Sequence, residues 1–260
     1  MTAPIRTEHD LLGDRAVPAD AYYGVHTLRA LENFPITGTP IAIYPELVMA
    51  LACVKQAAAI ANSELGLLDE RRAHAIRLAC EEVREGKLFE EFVVDVIQGG
   101  AGTSSNMNAN EVICNRALEL LGHRKGEYQH LHPLDHVNLS QSTNDVYPTA
   151  VKLALQFGIR RLLQDMVVLR KSFEAKAAEF AEVLKVGRTQ LQDAVPMTLG
   201  QEFSTYAVML AEAASLIREI NLGATAIGTG INAHPDYARL VTTRLTELTN
   251  VTFIVSPNLI

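Results

Sequence analysis

Four polar turns carry the side chains in this sequence that could do chemistry. The first, Gln98–Glu111, reads QGGAGTSSNMNANE, with Gly99, Gly100 and Gly102 ahead of Thr103, Ser104, Ser105 and Asn106 at a helix start. Glycines free the backbone there, and a helix start lined with hydroxyls offers N–H groups and partial positive charge to an anion. The second places Ser142, Thr143, Asn144 and Asp145 just before Pro148, a residue suited to a first helical turn. The third, Val186–Phe203, reads VGRTQLQDAVPMTLGQEF and crowds Arg188, Thr189, Gln190, Gln192 and Asp193 before Pro196. The fourth is Gly223–Asn232, GATAIGTGIN. Neutral hydroxyl and amide donors held in place suit a carboxylate that must take on further negative charge, because preorganised donors need not reorient as the charge develops. Taken one at a time, each turn also reads as a helix cap.

Other chemistries fit these residues less well. His132 and His136 are four apart, but Pro133 disrupts a helix between them and no glutamate completes a metal-binding pattern, so no metal site is expected. The glycines at 99–102 lack the Gly-Lys-Ser/Thr of a phosphate loop, and GATAIGTG follows a helical segment without full dinucleotide spacing, so no nucleotide cofactor is expected. Cys53, Cys80 and Cys114 are odd in number, far apart and set in helical segments, which reads as reduced core thiols. A formal charge of -7 argues against a nucleic-acid groove or an anionic membrane as partner. The most apolar early stretch, Pro45–Asn62, is broken by Lys55 and Gln56, and no leader pattern follows Met1; the expectation is a soluble, cytoplasmic protein.

The elements that position the turns are helices. The chain is 48% hydrophobic but only 6% aromatic, an aliphatic and alanine-rich mixture that favours packed helices. Spacing and caps predict helices over Pro45–Leu65, Asp69–Glu85 and Thr103–Leu121, the last two stopping at Gly86 and Gly122. Pro148 is expected to open a helix running to Lys185, roughly 55 Å at 1.5 Å per residue, which needs partners along its length. Thr198 with Gln201 three residues on is a capping-box signal for a helix to Ile220 that is apolar around much of its circumference. A short helix from Pro235 to Asn250 follows, and Val186–Pro196 is expected as a turn between two helices. Residues Thr2–Thr39 show no sustained period and predict irregular structure with short strands or turns.

These motifs together resemble the aspartase/fumarase superfamily. Val186–Phe203 fills every fixed position of its GRT(H/Q)xQDAxPxTLGQEF segment, Gln141–Thr149 matches QSTND(x)(x)PT, and the turns at 102 and 223 match GTSxNMNxNE and GxTAIGTGxN. Asp10–Gly13, Val17–Ala30 and the ENF at Glu32–Phe34 fit the amino-terminal signature of the aspartases, and Gln190 stands where fumarases carry histidine. The resemblance covers essentially the whole chain. It implies a mainly α fold, with a mixed N-terminal lyase domain over 1–143 and a long-helix bundle domain over 144–260 that is incomplete at its C-terminus. It implies reversible deamination of L-aspartate to fumarate and ammonia at a cofactor-free site, in a homotetramer whose sites each draw on three subunits. By the same resemblance Thr103, Ser142 and Thr143 grip the β-carboxylate, Asn144 receives the α-amino group, and Thr189 with Gln190 orients the amino and α-carboxylate end. The family's GSSxMPxKxNP loop, which supplies the serine base, has no counterpart after Asn232, so no catalytic base is assigned. Two alternatives stay open: a fumarate hydratase of the same superfamily, and a catalytically silent truncated scaffold subunit.

Overall fold

A computed structural model describes residues 4–98, 100–220, 222–225 and 233–257. The fold is mainly α. Its elements run β1 (Ile5–Asp10), β2 (Gly13–Pro18), α1 (Val25–Asn33), α2 (Pro45–Glu64), α3 (Glu70–Arg84), α4 (Thr103–Leu120), α5 (Thr143–Glu179), β3 (Leu184–Thr189), β4 (Gln192–Thr198), α6 (Leu199–Arg218), β5 (Ala224–Thr225), α7 (Tyr237–Thr249) and β6 (Ile254–Val255). They group into two compact units, residues 1–155 with 222–260, and residues 156–221. Among the described residues no helix is long and apolar enough to cross a membrane.

In the first unit α2 is the central rod. Pro45 occupies its first turn, and Val48, Leu51, Val54 and Ala58 are among the residues it buries as it packs on α3, α4 and α7. Asp69 caps α3 by accepting from the Arg72 N–H, and Ala73, Ile76, Cys80 and Val83 form its buried stripe at three- and four-residue spacing. The three cysteines are buried and unpaired. On α7 the inward residues Tyr237, Val241 and Leu245 recur every four positions.

The amino-terminal hairpin β1–β2 is held to this core by carboxylates. The first amides of α1 have no side-chain cap of their own; instead Glu111, midway along α4, accepts from Gly24 N, His26 N and Thr27 N at 2.8, 2.8 and 3.0 Å, and Glu8 on β1 accepts from Val25 N at 2.8 Å. Two buried acids thus satisfy the orphan donors of a helix start. Burial pushes the Glu111 carboxyl up to about 7 against the pull of those N–H groups, with Glu8 adding to the rise. Gly24 makes the approach possible, since a Cβ there would stand 2.6 Å from Glu8 Oε2 and 2.9 Å from Glu111 Cδ.

In the second unit the end of α5 lies against the start of α6. A Cβ on Gly200 would meet the Ala177 carbonyl at 2.4 Å, so glycine lets the two helices close. Phe173, Phe180, Phe203 and Tyr206 form an aromatic cluster with ring centroids 5.4–6.0 Å apart. The capping box at Thr198 and Gln201 is formed as the sequence predicts.

Several expectations change. The stretch around Pro196 is a β-hairpin, β3–β4, in place of a turn between helices; Thr189 pairs with Gln192, and the two-residue tip is Gln190 and Leu191. The helix expected from Pro148 begins earlier, at Thr143, and ends at Glu179, with Lys185 on β3. Pro148 is accommodated because it sits near the helix start, where the missing N–H costs only the bond to the Asn144 carbonyl. Helix α1 was not expected at all.

Replacing Gly24 by Ala should overpack the two carboxylates and destabilise the fold by about 1–3 kcal/mol, readable as a lower denaturation midpoint. Glu111 should also leave a mark on the pH profile. Its folded pKa is raised from 4.5, so between about 4.5 and 7 the unfolded chain releases the proton first and stability falls as pH rises, levelling off above 7. Thermal melts of Glu111→Gln should lack that component of the slope.

Candidate active site

Two helix starts meet in the first unit. Gly102, with φ +83°, precedes α4, and a Cβ on it would fall 2.1 Å from the Tyr147 ring of α5, so only glycine allows this approach. One turn into α4, Asn106 donates from Nδ2 to the Thr143 hydroxyl at 3.1 Å, joining the α4 and α5 starts directly. Thr103 opens α4 and is exposed, as is Asn144. Ser142 is the cap of α5: its hydroxyl accepts from Asn144 N at 3.2 Å, and Asp145 Oδ2 accepts from Ser142 N at 2.9 Å. Thr103 thus stands at the start of α4, and Ser142, Thr143 and Asn144 at the adjoining start of α5. Because the Ser142 and Thr143 oxygens already accept, each hydroxyl hydrogen is left to donate outward. Two positive helix ends and two such hydroxyls make a setting for a carboxylate.

A buried polar network holds that setting. Lys55 of α2 is fully buried, and its Nζ donates to Asn138 Oδ1 at 2.8 Å and to Gln141 Oε1 at 2.9 Å. Asn138 Oδ1 also accepts from Asn106 Nδ2 at 3.2 Å and from Asn110 Nδ2 at 3.3 Å. Burial pulls the Lys55 amine well below its ordinary range, with Asp145 among the groups opposing the shift. Ser105 is clamped in turn by Gln98, which accepts from its N–H at 3.0 Å and donates to its hydroxyl at 2.7 Å. Among the described residues the buried Oδ1 atoms of Asn106 and Asn110 meet no hydrogen-bond partner, residual acceptor capacity in the first two turns of α4.

Thr189 and Gln190 belong to the second unit, where both are exposed at the hairpin tip. Gln190 and Leu191 lie at φ +50° and +63°, a left-handed pair that matches the twist of a two-residue hairpin but costs residues with a Cβ about 1–3 kcal/mol each. Of the fourth turn, residues 226–232 lie outside the described residues. Its beginning is anchored: Thr225 hydrogen-bonds Thr149, and the Ala224 carbonyl accepts from Lys152. His132 and His136 form a local turn in which the His132 N–H donates to His136 Nδ1 at 2.8 Å.

Sequence reasoning assigned no site role to Lys55, Asn106 or Asn138. Lys55 carried a signal, since on a helix Leu51, Ala52, Ala58 and Ala59 stand one turn to either side of it, an apolar setting in which an amine needs acceptors.

The lyase family profile matches residues 13–260. Aspartate ammonia-lyase from Pseudomonas fluorescens is 58% identical over 266 residues, covering 99% of this chain and 56% of that protein. Aspartate ammonia-lyase from Escherichia coli K12 is 53% identical over 268 residues, covering 100% and 56%. The crystal structure of a fumarate lyase:delta crystallin from Brucella melitensis superposes with a TM-score of 0.94 at 49% identity, covering 98% of this chain and 59% of that one. The chain spans a little over half the length of the curated relatives it matches. With sequence and fold both in agreement over nearly all of its residues, the chain belongs to the lyase family, within the aspartase/fumarase superfamily.

Proposed function

We propose that this chain is the substrate-gripping part of an aspartate ammonia-lyase, which converts L-aspartate reversibly to fumarate and ammonia. The observation that carries the reading is the Asn106 to Thr143 hydrogen bond, which sets the start of α5 beside the start of α4. Removing the proton beside the β-carboxylate puts a second negative charge on that group, and donors that strengthen with the charge lower the barrier. Thr103, Ser142 and Thr143 take the β-carboxylate. Asn144 receives the α-amino group, helped by its own carbonyl, which Pro148 deprives of a helical N–H partner. Thr189 and Gln190 orient the amino and α-carboxylate end. No base is assigned among these residues.

The proposal includes assembly. Val208, Met209 and Leu216 on α6, and Leu162, Val168 and Leu169 on α5, are exposed apolar side chains suited to partner helices of a homotetramer. A domain boundary at 143/144 and a cytoplasmic location belong to the same reading. A fumarate hydratase is less well supported, because the relatives above 50% identity described here are aspartate ammonia-lyases.

Fumarate release followed by ultraviolet absorbance tests the reading. L-aspartate should give the signal and malate should not. In an assembly that turns over L-aspartate, Thr143→Ala and Asn144→Ala should each lose on the order of 100- to 1,000-fold in kcat. Unchanged turnover in both would overturn the assigned roles, and no fumarate from any assembly containing this chain would favour a silent scaffold.

A further inference from the structure

The turn that follows α4 gathers a ligand set that the dicarboxylate reading does not use. Gly122 and Gly126, at φ +84° and +83°, fold residues 122–130 back on themselves and bring His123, Glu127 and His130 together, with one donor atom from each within 4.8 Å of the others. The His123 and His130 rings stack face to face, centroids 3.8 Å apart and planes 5° from parallel. His123 Nδ1 lies 3.7 Å from Glu127 Oε2.

The frame around the three is already fixed. Gly126 N donates to Asn115 Oδ1 at 2.8 Å, the Tyr128 hydroxyl donates to Glu8 at 3.0 Å, and His130 N donates to the Glu127 carbonyl at 3.0 Å. Lys125 holds the Asp20 carbonyl on the other side. Ligand positions set by a braced backbone lose less entropy when an ion arrives. His123 and Glu127 also line an open cavity of about 570 Å³, so water can complete a coordination sphere. The end of α4 at Leu120 adds the negative pole of a helix nearby.

We propose that His123, Glu127 and His130 form a site for one divalent transition-metal ion, with zinc the best match. Two imidazoles and a carboxylate are the ligand types zinc takes, with a water in the fourth position, whereas magnesium and calcium require mostly oxygen ligands. Imidazole lone pairs lie in the ring plane, so the two stacked rings turn out of parallel for one ion to reach both. The present partner of Glu127 is Arg124, whose Nε donates to Oε1 at 2.8 Å and whose N–H donates to Oε2 at 3.1 Å. The Arg124 side chain is 90% exposed and can swing into solvent, leaving the carboxylate to the ion. Arg6 and Lys125 line the same cavity and weaken the site without supplying ligands. The bound ion would brace the turn that packs on the β1–β2 hairpin. The proposal stands independently of the aspartate reading.

The test uses the chelator-stripped protein and zinc chloride. Calorimetry should find one zinc per chain, and the melting temperature should rise by about 2–4 °C for each kcal/mol of linkage. Cobalt should give the intense visible bands of a four-coordinate site, and magnesium should do nothing. His130→Ala, at an exposed position, should abolish the stoichiometric event while leaving the metal-free melt unchanged, and His123→Ala should act likewise. Arg124→Ala should tighten binding several-fold by freeing Glu127. Zinc binding that is absent in the parent protein, or equally strong in the His123→Ala/His130→Ala double variant, would overturn the proposal.

Discussion

Lys55 sits at full burial in the middle of α2, and an amine out of reach of water must find acceptors in the protein or surrender its proton. It finds two, and one of them, Asn138 Oδ1, is shared with Asn106 and Asn110 of α4. That single amide oxygen ties α2, the segment before α5 and α4 into one knot. The Thr143 hydroxyl hangs from the same knot through Asn106. Of the residues proposed to hold substrate in the first unit, Thr143 is therefore placed by a lysine that does not touch it. The network is paired on its donor side, while the Oδ1 atoms of Asn106 and Asn110 keep an acceptor open, a cost that a buried polar cluster bears only for a purpose.

The electrostatics follow the same economy. The chain carries a formal charge of -7, which repels a dicarboxylate at long range. On the proposed function, attraction has to come from close quarters, and the neutral sources at hand are N–H groups at the starts of α4 and α5 and hydroxyls whose oxygens are already engaged. Neutral donors have a second merit. A fixed cation would bind the resting carboxylate strongly, whereas a hydroxyl gains most when extra charge builds on its partner, and only that difference accelerates a reaction.

Much of this was legible in the residues. The spans of α2, α3, α4 and α6 followed from capping residues, terminal glycines and apolar spacing, all of which act within a few positions. The polar turns at 98–106 and 142–145 announced themselves by residue type. What stayed hidden depends on distant partners. Helix α1 is capped by Glu111, more than eighty positions away, so nothing local marks its start. The β3–β4 hairpin hides because its tip is Gln190–Leu191 where an Asn-Gly pair would have signalled a turn. Lys55 looked like an interruption of an apolar run, and its role appears only once Asn138 and Gln141 are folded beside it.

One rod does two jobs. Asn106 and Glu111 are five positions apart on α4, about 7.5 Å along its axis, yet one holds the start of α5 and the other seals the amino-terminal hairpin. A shift of α4 by even part of a turn would disturb both. An inherited change in the hairpin that unseats Glu111 therefore reaches Asn106 and Thr143 as well, so the consequences of drift at one end of the rod are felt at the other.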